Sequence, residues 1–279
     1  MTSSPQAVPR GNVPLLPSFE EQDNPQDRIL LSPKTRRIRW TLDGPLETAI
    51  AVARDFFFDP DEVPEPFSSS SGEPAWHSFA HSPLTKPKVS SLKLFIDPLD
   101  TWDYFWMEVH ENHTDPDELY DPADVLYGPM PTVDETKRIE SDSYLLKCCG
   151  SKRPWDKGTT GLVVKATSDS GFVTIYDFIV TVHPYLMARR SDIIEAINID
   201  PARGGKRFGP ETKLMVGWHR ANDISVTDEA DWMDRHTRNQ PKPYSSGLPL
   251  SVLHAISLDA QEQRKKFAMK EQAWESEDE

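Results

Sequence analysis

Apolar residues in this chain come in short, well-separated runs, and the best patterned of these lies between Gly161 and Ile197. Leu162 to Ala166 has the apolar content of a short strand and is followed by a polar turn. Thr174 stands where a helix N-cap belongs, and Asp177 three residues later can reach back to close a capping box. Val173 and Phe178 occupy the hydrophobic-staple positions on either side of the cap. Ile175, Phe178, Ile179 and Val182 then recur at helical spacing and give one apolar face. Pro184 is expected to break or kink this helix near His183, because its ring clashes with the preceding turn. Ser191 can cap a second short helix that carries Ile193, Ile194 and Ile197.

Elsewhere the pattern predicts more strands than helices. Asp43-Gly44-Pro45 suits a helix start, and Leu46, Ala49, Ile50, Ala53 and Phe57 mark an apolar face after it. Leu92, Leu94 and Ile96 alternate with Ser91, Lys93 and Phe95, and Trp102, Tyr104 and Trp106 alternate in the same way. Together they predict an aromatic antiparallel hairpin over residues 92–110, turning near Pro98. Tyr144 to Cys149 and Leu214 to Trp218 read as further strands. Such runs favour an α+β fold, with an antiparallel sheet of four to five strands packed by helices, over a parallel α/β sheet. From Leu250 onward Leu253, Ala260, Phe267 and Trp274 recur every seven residues with Ile256 beside them, which predicts a long amphipathic helix.

These elements divide the chain into a flexible N-terminal tail (1–34), one α+β domain (35–220), a linker (221–249) and the C-terminal helix with its acidic end (250–279). Within the domain, residues 59–88 are rich in Pro and Ser, and residues 111–142 form a long acidic connection; both are expected to be loops. The 25 prolines and 37% hydrophobic content fit a folded centre with long loops and loose ends.

The net charge of −14 is concentrated: residues 97–143 hold fourteen Asp or Glu against only Lys137 and Arg138. Such a face repels nucleic acid and anionic membrane, so neither is expected as a partner. It is either a solvated acidic loop or a docking surface for a basic protein. No basic start followed by an apolar core marks a secretory signal, and no apolar run approaches the roughly 20 residues of a membrane span. The adjacent cysteines Cys148 and Cys149 are poorly placed to pair with each other. These features point to the cytosol or nucleus.

Chemical motifs are sparse. His77 and His81 have a four-residue spacing that serves zinc on a helix, but Pro74 and Pro83 flank them. His110 and His113 close the aromatic segment without a Cys-x-x-Cys partner. The acidic cluster Asp115, Asp117, Glu118, Asp121 and Asp124 lacks the glycine and terminal glutamate of an EF-hand loop. Residues 203–207 miss the Walker spacing, and no serine sits in a nucleophile elbow. The expectation is therefore no metal, no cofactor and no catalytic residue.

Phe172 to Ile179, with His183-Pro184-Tyr185-Leu186 and Asp192-Ile193-Ile194 downstream, resembles a family of fungal domains of unknown function. The resemblance covers residues 161–197 and implies an α+β fold and a fungal source, with no site residue to transfer. The function expected from the whole chain is a non-catalytic protein-interaction module, binding a protein partner or a second copy through Leu253, Ile256, Phe267 and Trp274, with Trp102 and Trp106 as further anchors. The alternative is an enzyme or small-ligand binder with a pocket beside the aromatic segment 92–110; a pocket lined by Trp106, His110 and carboxylates would favour it.

Overall fold

A computed structural model describes residues 16–22, 29–69, 75–114, 125–129, 144–158, 161–167, 171–201 and 205–237. The expected helix and tail over 250–279 lie outside the described residues. Among the described residues up to Arg36 stand three short elements, α1 (Phe19–Gln22), β1 (Leu30–Leu31) and α2 (Pro33–Arg36), so part of the expected N-terminal tail is folded. Phe19 and Ile29 reach the core, and Ser32 caps α2 by accepting a hydrogen bond from Thr35 N at 3.3 Å.

Next come β2 (Ile38–Thr41), α3 (Leu46–Ala49) and β3 (Ile50–Val52). The helix expected after Pro45 thus lasts one turn. Ile50 and Val52 are β-branched and stiff, and pairing with β2 captures them as a strand. The Pro/Ser-rich stretch carries β4 (Glu65–Pro66), β5 (Ser68–Ser69), β6 (Ala75–Trp76) and β7 (Thr85–Lys86), followed by β8 (Ser91–Lys93) and β9 (Phe95–Ile96).

The predicted aromatic hairpin does not form, because its second half is helical. Asp97-Pro98 ends β9 as expected, but it starts α4 (Asp97–Asp100), with proline in the first turn, in place of a hairpin turn, and α5 (Trp102–His110) follows. Trp102, Trp106 and His110 satisfy the four-residue helical spacing as well as they satisfy strand alternation, and all three are buried along one face of α5.

Then come β10 (Leu126–Gly128), β11 (Tyr144–Cys148), β12 (Ser151–Lys152), β13 (Val163–Lys165), α6 (Ile175–Ala188) and α7 (Arg190–Ile199). The chain continues through β14 (Leu214–Arg220), β15 (Asp223–Asp228) and α8 (Glu229–His236). Residues 223–236, read from sequence as linker, therefore form a strand and a helix. Ile224 and Val226 alternate with Ser225 and Thr227, and Asp228 caps α8 by accepting from Ala230 N and Asp231 N.

The fold is α+β. Its main sheet has six strands in the order β4-β3-β2-β14-β15-β9, antiparallel throughout except for the β15–β9 pair. Strand alternation assigns the two faces. Trp40 of β2 and Trp218 of β14 meet Phe178 of α6 at ring separations of 6.1 and 6.3 Å. On the opposite face the guanidinium of Arg39 lies over the Trp232 ring of α8 at 5.1 Å. The capping box of α6 forms as expected: Asp177 N donates to Thr174 Oγ1 at 3.1 Å and Thr174 N donates back to Asp177 Oδ2 at 2.9 Å. Of the break or kink expected at Pro184, the break does not occur: the helix runs through the proline, with His183 and Leu186 buried on either side of it. No helix among the described residues is long and apolar enough to cross a membrane.

His183 joins α6 to the sheet. Trp40 Nε1 donates to His183 Nδ1 at 3.1 Å, so the ring proton sits on Nε2, which donates to the Gly44 carbonyl at 3.1 Å. Burial lowers the imidazole pKa and outweighs the Gly44 bond and the Glu47 charge, which act to raise it. With the folded-state pKa depressed, the unfolded chain takes up this proton first as pH falls. The stabilisation is full above the ordinary histidine value of about 6.5 and is lost as pH drops through the folded value. Burial depresses His236 as well and adds to the same trend. Thermal melts should show Tm falling from about pH 7.5 to about pH 5, with a shallower slope in His183→Gln; an equal slope in the variant would remove His183 from this role.

Candidate functional site

A cleft of about 1210 Å³ opens beside the expected aromatic segment, though on a helix in place of a hairpin. Its walls are α5, the β11–β12 hairpin with the loop to Lys157, and the C-terminal end of α7 with Asp200, Pro201, Gly205, Lys206 and Arg207. Trp106, 1% exposed, fixes the hairpin against α5 by donating from Nε1 to Ser151 Oγ at 2.9 Å. Arg153 forks onto Asp103 of α5 with bonds of 2.7 and 2.8 Å, a geometry that only guanidinium and carboxylate share so well. On the other side Asp192 of α7 accepts from Arg189 at 2.6 Å and from Lys157 at 3.3 Å. Burial disfavours ionisation of Asp192, but these two cations outweigh it and hold the carboxyl below its usual range.

The cleft concentrates positive charge on an acidic protein. Lys147, Lys152, Arg153, Lys157, Lys206 and Arg207 line it, against Asp156, Glu195 and Asp200. Several of these cations are committed: Arg153 to Asp103, Lys157 to Asp192, and Lys206 to Asp228 at 2.7 Å. Lys147 and Lys152 differ. They are directly opposite each other on β11 and β12, and among the described residues neither forms an ion pair. Like charges facing across a hairpin destabilise it. Trp155, 37% exposed, lies in the same wall.

The hairpin turn holds a second cluster. Cys149 and Gly150 are the two turn residues, with φ of 49° and 78°. The left-handed region suits glycine or asparagine and is unusual for cysteine. Cys149 Sγ stands 3.1 Å from His113 Nδ1, and one nitrogen of His110 joins them, all three atoms lying within 4.8 Å of one another. His110 stacks on Trp106 at 4.3 Å and its Nδ1 bonds to the Trp106 carbonyl at 2.7 Å. Cys148 Sγ lies 3.7 Å from Cys149 Sγ, so the two thiols are not joined.

Of the sequence-derived site residues, Trp102 and Trp106 both line this cleft, but at 7% and 1% exposure neither presents an anchor to a partner surface. Leu253, Ile256, Phe267 and Trp274 lie outside the described residues. His77 and His81 stay apart from the cluster: His77 faces Glu65 at 3.2 Å, and His81 faces the Tyr176 ring. The lysine pair and the histidine–cysteine cluster went unread in the sequence. Gly150 after a strand was a usable turn signal for the first, whereas the second depends on contacts thirty-six residues apart. Comparison with family models, curated proteins and solved structures returns no match for this chain.

Proposed function

We propose that this chain is a ligand-binding protein and that its cleft takes a small anionic molecule with a flat apolar part. The observation that carries this reading is the Lys147–Lys152 pair, two opposed cations without a counter-ion among the described residues, beside the half-exposed ring of Trp155. An anion placed between the two lysines would relieve their repulsion, and the indole offers a surface for stacking. Trp106, His110 and carboxylates in the wall are the lining that favours a ligand pocket over an interaction surface. The protein-interaction reading rests on the stripe Leu253, Ile256, Phe267 and Trp274, and buried Trp102 and Trp106 add nothing to it. Cys148 and Cys149, the chain's two cysteines, stand 3.7 Å apart at sulfur and are not disulfide-bonded to each other, which supports a reducing compartment, cytosol or nucleus.

Anilinonaphthalene sulfonate, an aromatic sulfonate whose fluorescence rises on binding, is a direct probe. It should bind one site per chain. Reversing both charges (Lys147→Glu with Lys152→Glu) should weaken it by about tenfold or more, equivalent to about 1.4 kcal/mol. Added salt should weaken the wild type as well. Phenylnaphthylamine, its uncharged analogue, should bind both proteins alike. Equal sulfonate affinity in the wild type and the variant would overturn the reading.

A further inference from the structure

The geometry points to a transition-metal site of the zinc class, with His110, His113 and Cys149 as its protein ligands. It goes beyond the anion-binding reading and does not depend on it. Two imidazoles and one thiolate form the donor set that zinc and cobalt(II) take up in tetrahedral sites. At metal–nitrogen and metal–sulfur bonds of about 2.0 and 2.3 Å, tetrahedral ligand atoms stand about 3.5 Å apart. The 3.1 Å between His113 Nδ1 and Cys149 Sγ is already close to that spacing, and the three ligand atoms are gathered within 4.8 Å.

Two further observations bear on a ligand role. His110 Nδ1 is engaged by the Trp106 carbonyl at 2.7 Å, so the ring carries its proton there and leaves Nε2 with a lone pair. Fixing the tautomer through a backbone carbonyl is how metal-binding histidines are usually oriented. Cys149 holds φ at 49° in a turn position where glycine or asparagine would sit without strain, and its side chain is exposed toward the histidines. Backbone strain of this kind collects at functional positions. Cys148, buried against Trp106 and Leu145, belongs to the apolar cluster beneath. His110 and Cys149 both line the cleft, so two of the three ligands border it. Binding would release the thiol proton of Cys149 to solvent and leave both rings neutral.

Cobalt(II) titration of the reduced, full-length protein tests the assignment. The wild type should take up one cobalt per chain and show the intense visible bands of a tetrahedral ion together with a thiolate-to-cobalt charge-transfer band. Zinc added in equal amount should bleach both. Cys149→Ser should lose the charge-transfer band, and His113→Ala should lose the tetrahedral spectrum. Cys148→Ser and the double variant His77→Ala with His81→Ala should keep both features. Cys149→Gly, which relieves the turn, should raise the Tm of the metal-free protein while abolishing the charge-transfer band, a pairing that separates ligand loss from misfolding. An octahedral spectrum in the wild type, or a charge-transfer band that survives Cys149→Ser or disappears in Cys148→Ser, would overturn it.

Discussion

Replacing Phe178 with alanine is expected to destabilise the protein by about 3–5 kcal/mol, the range for removing a fully buried aromatic side chain. Phe178 has no exposed surface, and its ring meets Trp40 edge-on at 6.1 Å and 84°. A second aromatic neighbour is Trp218, at 6.3 Å, so one deletion strips contacts from β2, β14 and α6 together. Edge-to-face aromatic pairs contribute about 0.5–1.5 kcal/mol beyond the area they bury, which places the loss toward the upper end. The cavity cannot collapse readily, because Thr174 and Asp177 fix the start of α6 by reciprocal bonds and the His183 bridge fixes its middle. A urea melt measures the change. A loss below about 1 kcal/mol would mean that α6 is not part of the cooperative core.

Trp106→Ala is expected to cost about 3–5 kcal/mol on the same ground, with an additional effect on the cleft. The indole is 1% exposed, packs with Leu145 and Cys148 as a small second core, and holds Ser151 by the bond from Nε1. Removing it loosens β12 from α5 and leaves the Arg153–Asp103 fork as the tie beside it, so Lys152 is held less firmly in the cleft wall. Anilinonaphthalene sulfonate affinity should fall along with stability. Trp106→Phe keeps most of the packing and loses only the hydrogen bond, so it should retain most of the stability. Full probe affinity in a stably folded Trp106→Ala variant would separate the cleft from this small core.

What the sequence showed best was local. The start of α6 was legible because Thr174, Asp177, Val173 and Phe178 interact within one turn, and the structure forms that capping box and buries those positions. Residues 102–110 were misread because Trp102 and Trp106 fit two periods at once; the choice was settled by Pro98 at the first turn of α4 and by burial against the β11–β12 hairpin. The strand at 223–228 was missed although Ile224 and Val226 alternate with Ser225 and Thr227, because the segment is short and ends in the charged start of α8. The cleft was legible only as a position beside residues 92–110. Its chemistry depends on Lys147 meeting Lys152 across a two-residue turn and on α7 closing the far wall, neither of which composition or periodicity encodes.

Hydrogen–deuterium exchange with and without saturating anilinonaphthalene sulfonate tests the central claim most directly, since it reports where the anion sits. Protection is expected over residues 144–157, which carry the lysine-bearing wall, and over 195–201 and 205–207, which carry the wall facing it, with the six-stranded sheet unchanged. Protection confined to residues 250–279, with the β11–β12 hairpin unaffected, would contradict the claim and return the chain to the protein-interaction reading.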